Sequence, residues 1–168
     1  MNIFLIGMMG SGKSSVGHSL SKHLTNTFYD LDKEVEKRFN LSIKDIFIEY
    51  GEDLFRKEEN KVLKEFEISS GFIVSTGGGI VLSEENRTIL KKNKTYFLEA
   101  DIEDMYERAI KRENDRPLLK GMDITEFKDL YMKRRDLYIE SATATINVGK
   151  KSIEDLTIEI INNEKNII

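Results

Sequence analysis

Two apolar patterns alternate along the chain. Short apolar runs, typical of buried strands, occur at residues 2–6, 27–30, 72–75, 95–98 and 143–148. Between the runs, apolar residues recur at helical spacing, as Val16, Leu20 and Leu24 do after the first run. The spacing predicts helices that begin near Lys13 and Asp101, a short helix after Ser42, and helices over about residues 32–40, 52–69, 83–92, 126–138 and 152–162.

Several of these helices carry a start signal. Ser or Asp followed three residues later by Asp predicts capping contacts that begin a helix, at the pairs Ser42 and Asp45, Asp101 and Asp104, and Ser152 and Asp155. Gly51 interrupts the apolar periodicity and separates the helix after Ser42 from the next one.

Strands that alternate with helices predict an α/β fold. A central parallel sheet would be covered by helices on both faces, which is a three-layer α/β/α arrangement. The 168 residues fit a single domain, 1–168, because no repeat or linker divides them. Ligands of such folds bind beyond the carboxyl ends of the strands, so we expect the functional residues there.

The first strand leads into a phosphate-binding motif. Residues 7–14 read Gly-Met-Met-Gly-Ser-Gly-Lys-Ser, which fits Gly-x-x-x-x-Gly-Lys-Ser/Thr, the P-loop. Its glycines let successive N–H groups turn towards an anion, and the following helix adds the positive end of its dipole. We therefore expect a nucleoside triphosphate here, with Lys13 at the β- and γ-phosphates and Ser14 on Mg²⁺.

Composition narrows the class of protein. The chain has no Cys, which excludes disulfides and thiolate metal sites and agrees with a reducing compartment. A net charge of −4 argues against a broad nucleic-acid surface. Met1 leads directly into the first strand, and no apolar run approaches a membrane span. We expect a monomeric cytoplasmic protein without a secretory signal that binds neither nucleic acid nor membrane.

Two carboxylates follow the second strand. Asp30 and Asp32 flank Leu31, and in an extended segment both side chains would point into one pocket. Beside a P-loop this arrangement favours Asp30 near Mg²⁺ and Asp32 accepting a hydrogen bond from a substrate hydroxyl. The alternative is a polar turn in which Asp32 caps the next helix.

Two further groups suit an anionic substrate. Glu59 interrupts the apolar face of the long helix, and Arg56 stands one turn before it, so the carboxylate either orients a substrate-binding arginine or forms an ordinary surface pair. Gly77, Gly78 and Gly79 follow a buried strand, and three glycines favour close approach of a ligand to the backbone over a simple flexible loop.

Five further arginines with candidate roles lie between residues 108 and 135. Arg108, Arg112 and Arg116 surround an irregular stretch that holds Pro117, as expected of a lid over a nucleotide, although a solvated loop would look similar. Arg134 and Arg135 stand on the following helix, where an exposed face is the simpler reading.

In combination and order, these motifs resemble the shikimate kinase family of the nucleoside-monophosphate-kinase-like P-loop group. The motifs are the P-loop, Asp-Leu-Asp, Phe-Arg-x-x-Glu, Gly-Gly-Gly, Arg-Pro-Leu-Leu and Arg-x-x-Leu-Tyr, over about residues 3–148. The resemblance implies a P-loop kinase fold and transfer of the ATP γ-phosphoryl group to the 3-hydroxyl of shikimate, on the route to the aromatic amino acids. It also implies a mobile substrate-binding segment at about 33–60 and a lid at about 112–124. Family members often have Pro where this chain has Asp136.

The resemblance also implies roles for individual residues. ATP would be bound by Gly10, Ser11, Gly12, Lys13, Ser14, Ser15, Arg112 and Arg116; Mg²⁺ by Ser14 and Asp30; and shikimate by Asp32, Phe47, Phe55, Arg56, Glu59, Gly77, Gly78, Gly79 and Arg134. Lys13, Asp32 and Arg116 would be catalytic, with Asp32 the candidate base. Spacing leaves open whether Arg108 or Arg112 contacts the adenine side, and the neighbouring Arg135 competes with Arg134 for the substrate carboxylate.

Two other functions fit parts of the pattern. A gluconate-type or other small-molecule kinase would also need arginines for a carboxylate, whereas an ATP-binding regulatory relative would be expected to have lost Lys13, Asp32 or an arginine clamp. A GTPase is disfavoured because Asn93-Lys94-Thr95-Tyr96 lacks the Asp of the guanine signature.

Overall fold

A five-stranded parallel sheet forms the centre of the protein. The computed structural model describes residues 2–111, 119 and 121–166. The strand order is β2-β3-β1-β4-β5, with every neighbouring pair parallel. The strands are β1 (Ile3–Ile6), β2 (Thr27–Asp30), β3 (Phe72–Ser75), β4 (Lys94–Glu99) and β5 (Ala144–Asn147). The five predicted strands are confirmed, with ends that differ by one residue at most.

Helices cover the sheet and complete a three-layer α/β/α fold. α1 packs against α7, and α4 packs against α6. The helices are α1 (Lys13–Leu24), α2 (Leu31–Phe39), α3 (Ile43–Glu67), α4 (Glu84–Lys92), α5 (Ile102–Ile110), α6 (Ile124–Ser141) and α7 (Ile153–Asn166). The predicted α/β fold is therefore confirmed. None of these helices is both long and apolar enough to cross a bilayer within the part of the chain that is described.

The three predicted capping pairs can be compared with the hydrogen bonds at the starts of the helices. Ser152 and Asp155 make the predicted reciprocal contacts, with Asp155 N donating to Ser152 Oγ and Ser152 N to Asp155 Oδ2. Asp45 N donates to Ser42 Oγ as predicted. The Asp45 carboxylate, however, accepts a hydrogen bond from the Ser42 hydroxyl and not from a backbone N–H group. The contact predicted for Asp101 is wrong, because its side chain makes no capping hydrogen bond.

Helices α6 and α3 show one difference from the prediction and one agreement with it. α6 begins before residue 126 because Asp123 and Glu126 form a full capping box at its start. Within α3, the predicted break at Gly51 is confirmed, because its φ of +80° and ψ of 165° are not helical and divide the helix into two segments joined at a kink. A single 3-10 turn, Ile80–Leu82, follows the glycine sequence and was not predicted.

The order of strands decides where a ligand binds. All four residues of β1 are buried, and β3 and β4 pair with its two sides. The chain passes from β1 towards β2 and β3 and then crosses to β4, so strand order reverses at β1. This switch point is the usual ligand crevice of open α/β sheets, and the P-loop lies directly at it.

Candidate active site

The P-loop forms an anion cradle between β1 and α1. Gly10 and Gly12 have φ of +83° and +96°, which L-residues rarely adopt. A Cβ on Gly12 would have no described atom within 4 Å, whereas one on Gly10 would lie 2.2 Å from the Met105 carbonyl oxygen. Gly10 therefore lets the loop pack against α5, and Gly12 faces open space at the N-terminus of α1, which suits a phosphate.

Lys13 lies across this cradle. It is 8% exposed, and its Nζ donates to the carbonyl oxygens of Gly7 and Met8, at 2.9 Å each. Ser11 is fully buried, and its Oγ has no hydrogen-bond partner among the described atoms. Lys13 thus places a positive charge over the loop, where it complements a bound triphosphate.

Oxygen ligands lie next to the P-loop. Ser14 Oγ donates to Asp30 Oδ2 at 3.1 Å and lies 3.4 Å from Ser75 Oγ. Among the described side chains no group of three or more His, Cys, Asp or Glu could hold a metal ion alone. A hydroxyl with one carboxylate is instead the donor set of Mg²⁺ that takes its other ligands from phosphates and water.

Asp32 lies beside the same cavity but for a different reason from the one predicted. α2 begins at Leu31, so Asp30 ends a strand and Asp32 lies in the first helical turn. The expectation of an extended segment was wrong, and so was Asp32 as the alternative helix cap, because Lys33 N donates to Asp30. Asp30 and Asp32 nevertheless line one cavity.

The surroundings of Asp32 alter its acidity. The residue is half-buried, but its Oδ1 is inaccessible and has no hydrogen-bond partner in the described part of the chain. Burial, together with the charge of Asp30, raises the pKa of Asp32 to about 6, although Lys13 and Arg56 oppose the increase. A carboxylate with a pKa this close to neutrality can accept a proton from a bound hydroxyl.

The pair of Arg56 and Glu59 is buried rather than a surface pair. Arg56 Nη1 lies 3.0 and 2.9 Å from the two Glu59 carboxylate oxygens, and Glu59 is fully buried. Burial raises the pKa of Glu59 to about 7, while the charges of Arg56 and Arg134 oppose it. On the other side of the guanidinium, Arg56 Nη2 donates a hydrogen bond to Glu52 Oε1 at 2.9 Å. The guanidinium is therefore fixed in orientation from two sides.

Two aromatic rings support this arginine. The Arg56 Cζ lies 5.1 Å from the centre of the Phe55 ring, and the Phe47 and Phe55 rings pack edge to face at 5.1 Å. Phe55 is buried and Phe47 partly so. The rings form an apolar wall beside the guanidinium, as a substrate that carries both a ring and a charge would require.

Two of the three consecutive glycines make room for functional side chains. A Cβ on Gly77 would lie 2.7 Å from Asp32 Oδ1, and one on Gly79 would lie 2.4 Å from Arg56 Nη2. None of the three has a positive φ. Close approach therefore explains Gly77 and Gly79, but the groups that the structure brings close to them are protein side chains.

The two neighbouring arginines of α6 have different surroundings. Arg135 donates from Nε to Glu99 at 2.7 Å on the outside of the site. Arg134 is 4% exposed, and its Nε and Nη1 have no hydrogen-bond partner among the described residues. A buried guanidinium with free donors is costly unless an anion pairs with it, so Arg134 is positioned to take one.

The predicted residues form two adjoining parts. One cavity is lined by Gly10, Gly12, Lys13, Ser14, Ser15, Asp30, Asp32, Gly77 and Gly78, together with Met9, Ser75, Thr76, Arg108 and Lys111. The second part is formed by Phe47, Phe55, Arg56, Glu59, Gly79 and Arg134. The two parts adjoin at Gly77, where an added Cβ would lie 2.7 Å from Asp32 and 3.1 Å from Glu59. Arg112 and Arg116 lie outside the described residues.

Some lining residues had not been singled out from the sequence. Ser75 and Thr76 directly precede the glycines, and their place at the end of a buried strand was the available signal. Arg108, left open as an adenine-side candidate, lies at the cavity mouth with Nη1 3.4 Å from the Gly10 carbonyl oxygen. Lys111 carried no motif.

Comparison with known proteins identifies the family. The family model for shikimate kinase matches residues 9–164. The chain is 43% identical over 153 residues to a shikimate kinase of Nitrosospira multiformis. The matched region covers 90% of this chain and 78% of that protein. It is 41% identical over 165 residues to one of Dictyoglomus turgidum, covering 95% of each.

Solved structures agree with the sequence matches. A shikimate kinase from Acinetobacter baumannii in complex with shikimate superposes with a TM-score of 0.93 at 33% identity, covering 98% of this chain and 93% of that one. The shikimate kinase of Aquifex aeolicus gives 0.87 at 40% identity, covering 100% and 99%. These matches favour neither a gluconate-type kinase nor a regulatory ATP-binding relative.

Proposed function

The chain belongs to the shikimate kinase family, and on this premise we propose that it transfers the γ-phosphoryl group of ATP to the 3-hydroxyl of shikimate. The observation that supports this substrate best is Arg134, whose buried guanidinium keeps two nitrogens without a partner near the Arg56–Glu59 pair. A carboxylate with a ring and hydroxyls meets these requirements, because two guanidinium groups bind the anion and Asp32 takes a hydroxyl.

ATP occupies the P-loop side of the site in this proposal. Gly10, Ser11, Gly12, Ser14 and Ser15 supply backbone and hydroxyl groups to the phosphates, and Lys13 lies over the β- and γ-phosphates. Ser14, and Asp30 directly or through water, would hold Mg²⁺, which would offset the negative charge of the phosphates. Arg112 and Arg116 remain proposed nucleotide contacts of the lid, over about residues 112–124.

Shikimate occupies the other side. Arg56 and Arg134 bind its carboxylate, Glu59 orients Arg56, and Phe47 and Phe55 form the apolar wall. Gly77, Gly78 and Gly79 lie along the ring. The 3-hydroxyl oxygen attacks the γ-phosphorus, ADP leaves, and the hydroxyl proton passes to Asp32. Lys13 and Arg116 offset the charge that develops on the transferring group.

The assignment is tested by a coupled ADP-release assay with a panel of acceptors. Shikimate is expected to stimulate ATP consumption strongly, whereas gluconate and nucleoside monophosphates are expected to leave it at the background rate. Release of ADP that does not depend on shikimate would contradict the assignment. We further propose that the enzyme acts as a monomer in the cytoplasm, which sedimentation and cell fractionation test separately.

Gly79→Ala tests the close packing of the glycines. The added Cβ would force Arg56 to move, so the KM for shikimate is expected to rise about tenfold, in the range of overpacking effects, with little change for ATP. Gly78→Ala adds the same methyl group where a Cβ stays 3.5 Å or more from its protein neighbours, so it reports the effect of bulk in the cavity without displacement of Arg56. Equal effects of the two substitutions would mean that added bulk in the loop, not displacement of Arg56, lowers activity.

A further inference from the structure

Tyr138 lies where three parts of the site meet. It is fully buried on α6, and its ring stacks on Phe97 of β4 with centroids 5.0 Å apart. Its hydroxyl donates to the carbonyl oxygen of Gly78 and lies 3.9 Å from Met8 Sδ in the P-loop. One phenol therefore touches both the glycine sequence and the phosphate-binding loop.

The same hydroxyl is close to the substrate arginines. Burial raises the pKa of Tyr138 well above its usual range, and the charges of Arg134 and, more weakly, Arg56 oppose this increase. Arg134 stands one turn before Tyr138 on α6, so the two side chains share a helix face. The raised pKa keeps the hydroxyl protonated near neutral pH, so it remains a donor to Gly78.

The backbone at Gly78 needs such a support. Glycine has more backbone freedom than any other residue, so a run of three needs contacts that fix it. The carbonyl oxygens of Gly77 and Gly79 accept hydrogen bonds from the backbone N–H groups of Ile80 and Leu82. On the far side, Asn86 Nδ2 donates to the Ile80 carbonyl oxygen at 3.0 Å. Among the described residues, Tyr138 is the one whose side chain donates a hydrogen bond to a carbonyl oxygen of the three glycines, that of Gly78.

We propose that Tyr138 is a positioning residue, whose hydroxyl fixes the Gly78 peptide so that the glycine backbone and Arg134 present one rigid surface to shikimate. This inference rests on the proposed function. Tyr138 does not touch the reacting atoms. Its hydroxyl donates to Gly78, whereas its contact with the P-loop is the longer one to Met8 Sδ, so its larger effect falls on the acceptor rather than on the nucleotide.

Tyr138→Phe removes the hydroxyl and keeps the ring against Phe97. Loss of a partner for a buried carbonyl is expected to raise the KM for shikimate about tenfold, with the KM for ATP changed less than about twofold. Tyr131→Phe is the matched control on the same helix. Tyr131 is also buried, but its hydroxyl donates to Glu99 at 3.0 Å, outside the site, so both constants are expected to stay unchanged.

The outcomes separate the two proposals. If the unsubstituted enzyme does not use shikimate, the proposed function fails whatever Tyr138 does. If it uses shikimate and Tyr138→Phe behaves like Tyr131→Phe, the positioning role is wrong. A variant with a lower thermal midpoint and fewer active molecules, but with unchanged KM values, would also overturn it, because a purely structural residue changes the amount of folded enzyme and not its selectivity between the two substrates.

Discussion

Asp32→Asn is expected to lower kcat by about 10² or more, the usual contribution of a positioned general base. Asn has nearly the shape of Asp and fits the same space beside Gly77, so the fold is expected to survive. The lost feature is the carboxylate that accepts the hydroxyl proton. Steady-state kinetics with saturating shikimate and ATP measure the effect directly.

The pH dependence gives this prediction a second readout. Burial and the charge of Asp30 raise the pKa of Asp32 to about 6. A base must be deprotonated, so kcat/KM for shikimate is expected to fall as pH drops through about 6 and to level off above it. In Asp32→Asn, the fall of kcat/KM that results from protonation of Asp32 below about pH 6 is expected to disappear.

Glu59 is the group that could imitate this effect, because burial raises its pKa to about 7. Glu59→Gln separates the two. It weakens the hold on Arg56 and is expected to raise the KM for shikimate, but it leaves the acidic decrease of kcat in place. A small loss of kcat in Asp32→Asn, with an unchanged pH profile, would reduce Asp32 to a residue that only positions the hydroxyl.

The sequence predicted the sheet well because its signals are local. Each strand is a short apolar run, and β1 is buried along its whole length, as an inner parallel strand requires. The helix starts were less certain, since a Ser or Asp before a helix has competing partners. Asp101 looks like a cap by spacing, yet its side chain makes no capping contact, and Asp104 pairs instead with Arg108 at 3.6 Å.

The sequence singled out residues that the structure brings together, but it did not show the contacts between them. Asp30 and Asp32 were paired on the assumption of an extended backbone, and α2 brings them together by beginning one residue earlier than predicted. The three glycines were interpreted as space for a ligand, whereas two of them make space for Asp32 and Arg56. Such contacts join residues more than 20 positions apart, and no local pattern records them.

Tyr138 illustrates what remains hidden. It belongs to the Arg-x-x-Leu-Tyr motif, which the sequence analysis identified, but its partners Gly78 and Met8 are 60 and 130 residues away in the chain. In the sequence it looks like an ordinary aromatic of a helix face. Its hydroxyl has these partners because α6 packs close to the ends of β1 and β3, which Met8 and Gly78 follow.

Arg134→Ala is expected to raise the KM for shikimate about 10²-fold or more and to change the KM for ATP little. Truncating one partner of a buried charged pair costs about 2–5 kcal/mol, and Arg134 is buried with two unpaired nitrogens, so its charge needs the substrate carboxylate. Initial rates with each substrate varied in turn measure both constants.

Arg135→Ala is the matched control, because it removes the same side chain one position along the helix. Arg135 pairs with Glu99 at 2.7 Å and is partly exposed, so its loss is expected to leave the shikimate KM within about twofold. Arg134→Lys keeps a charge but loses the planar fork, and it should recover only part of the affinity. Equal effects of Arg134→Ala on both substrates, or a larger effect of Arg135→Ala, would move the carboxylate site from the buried guanidinium to its neighbour.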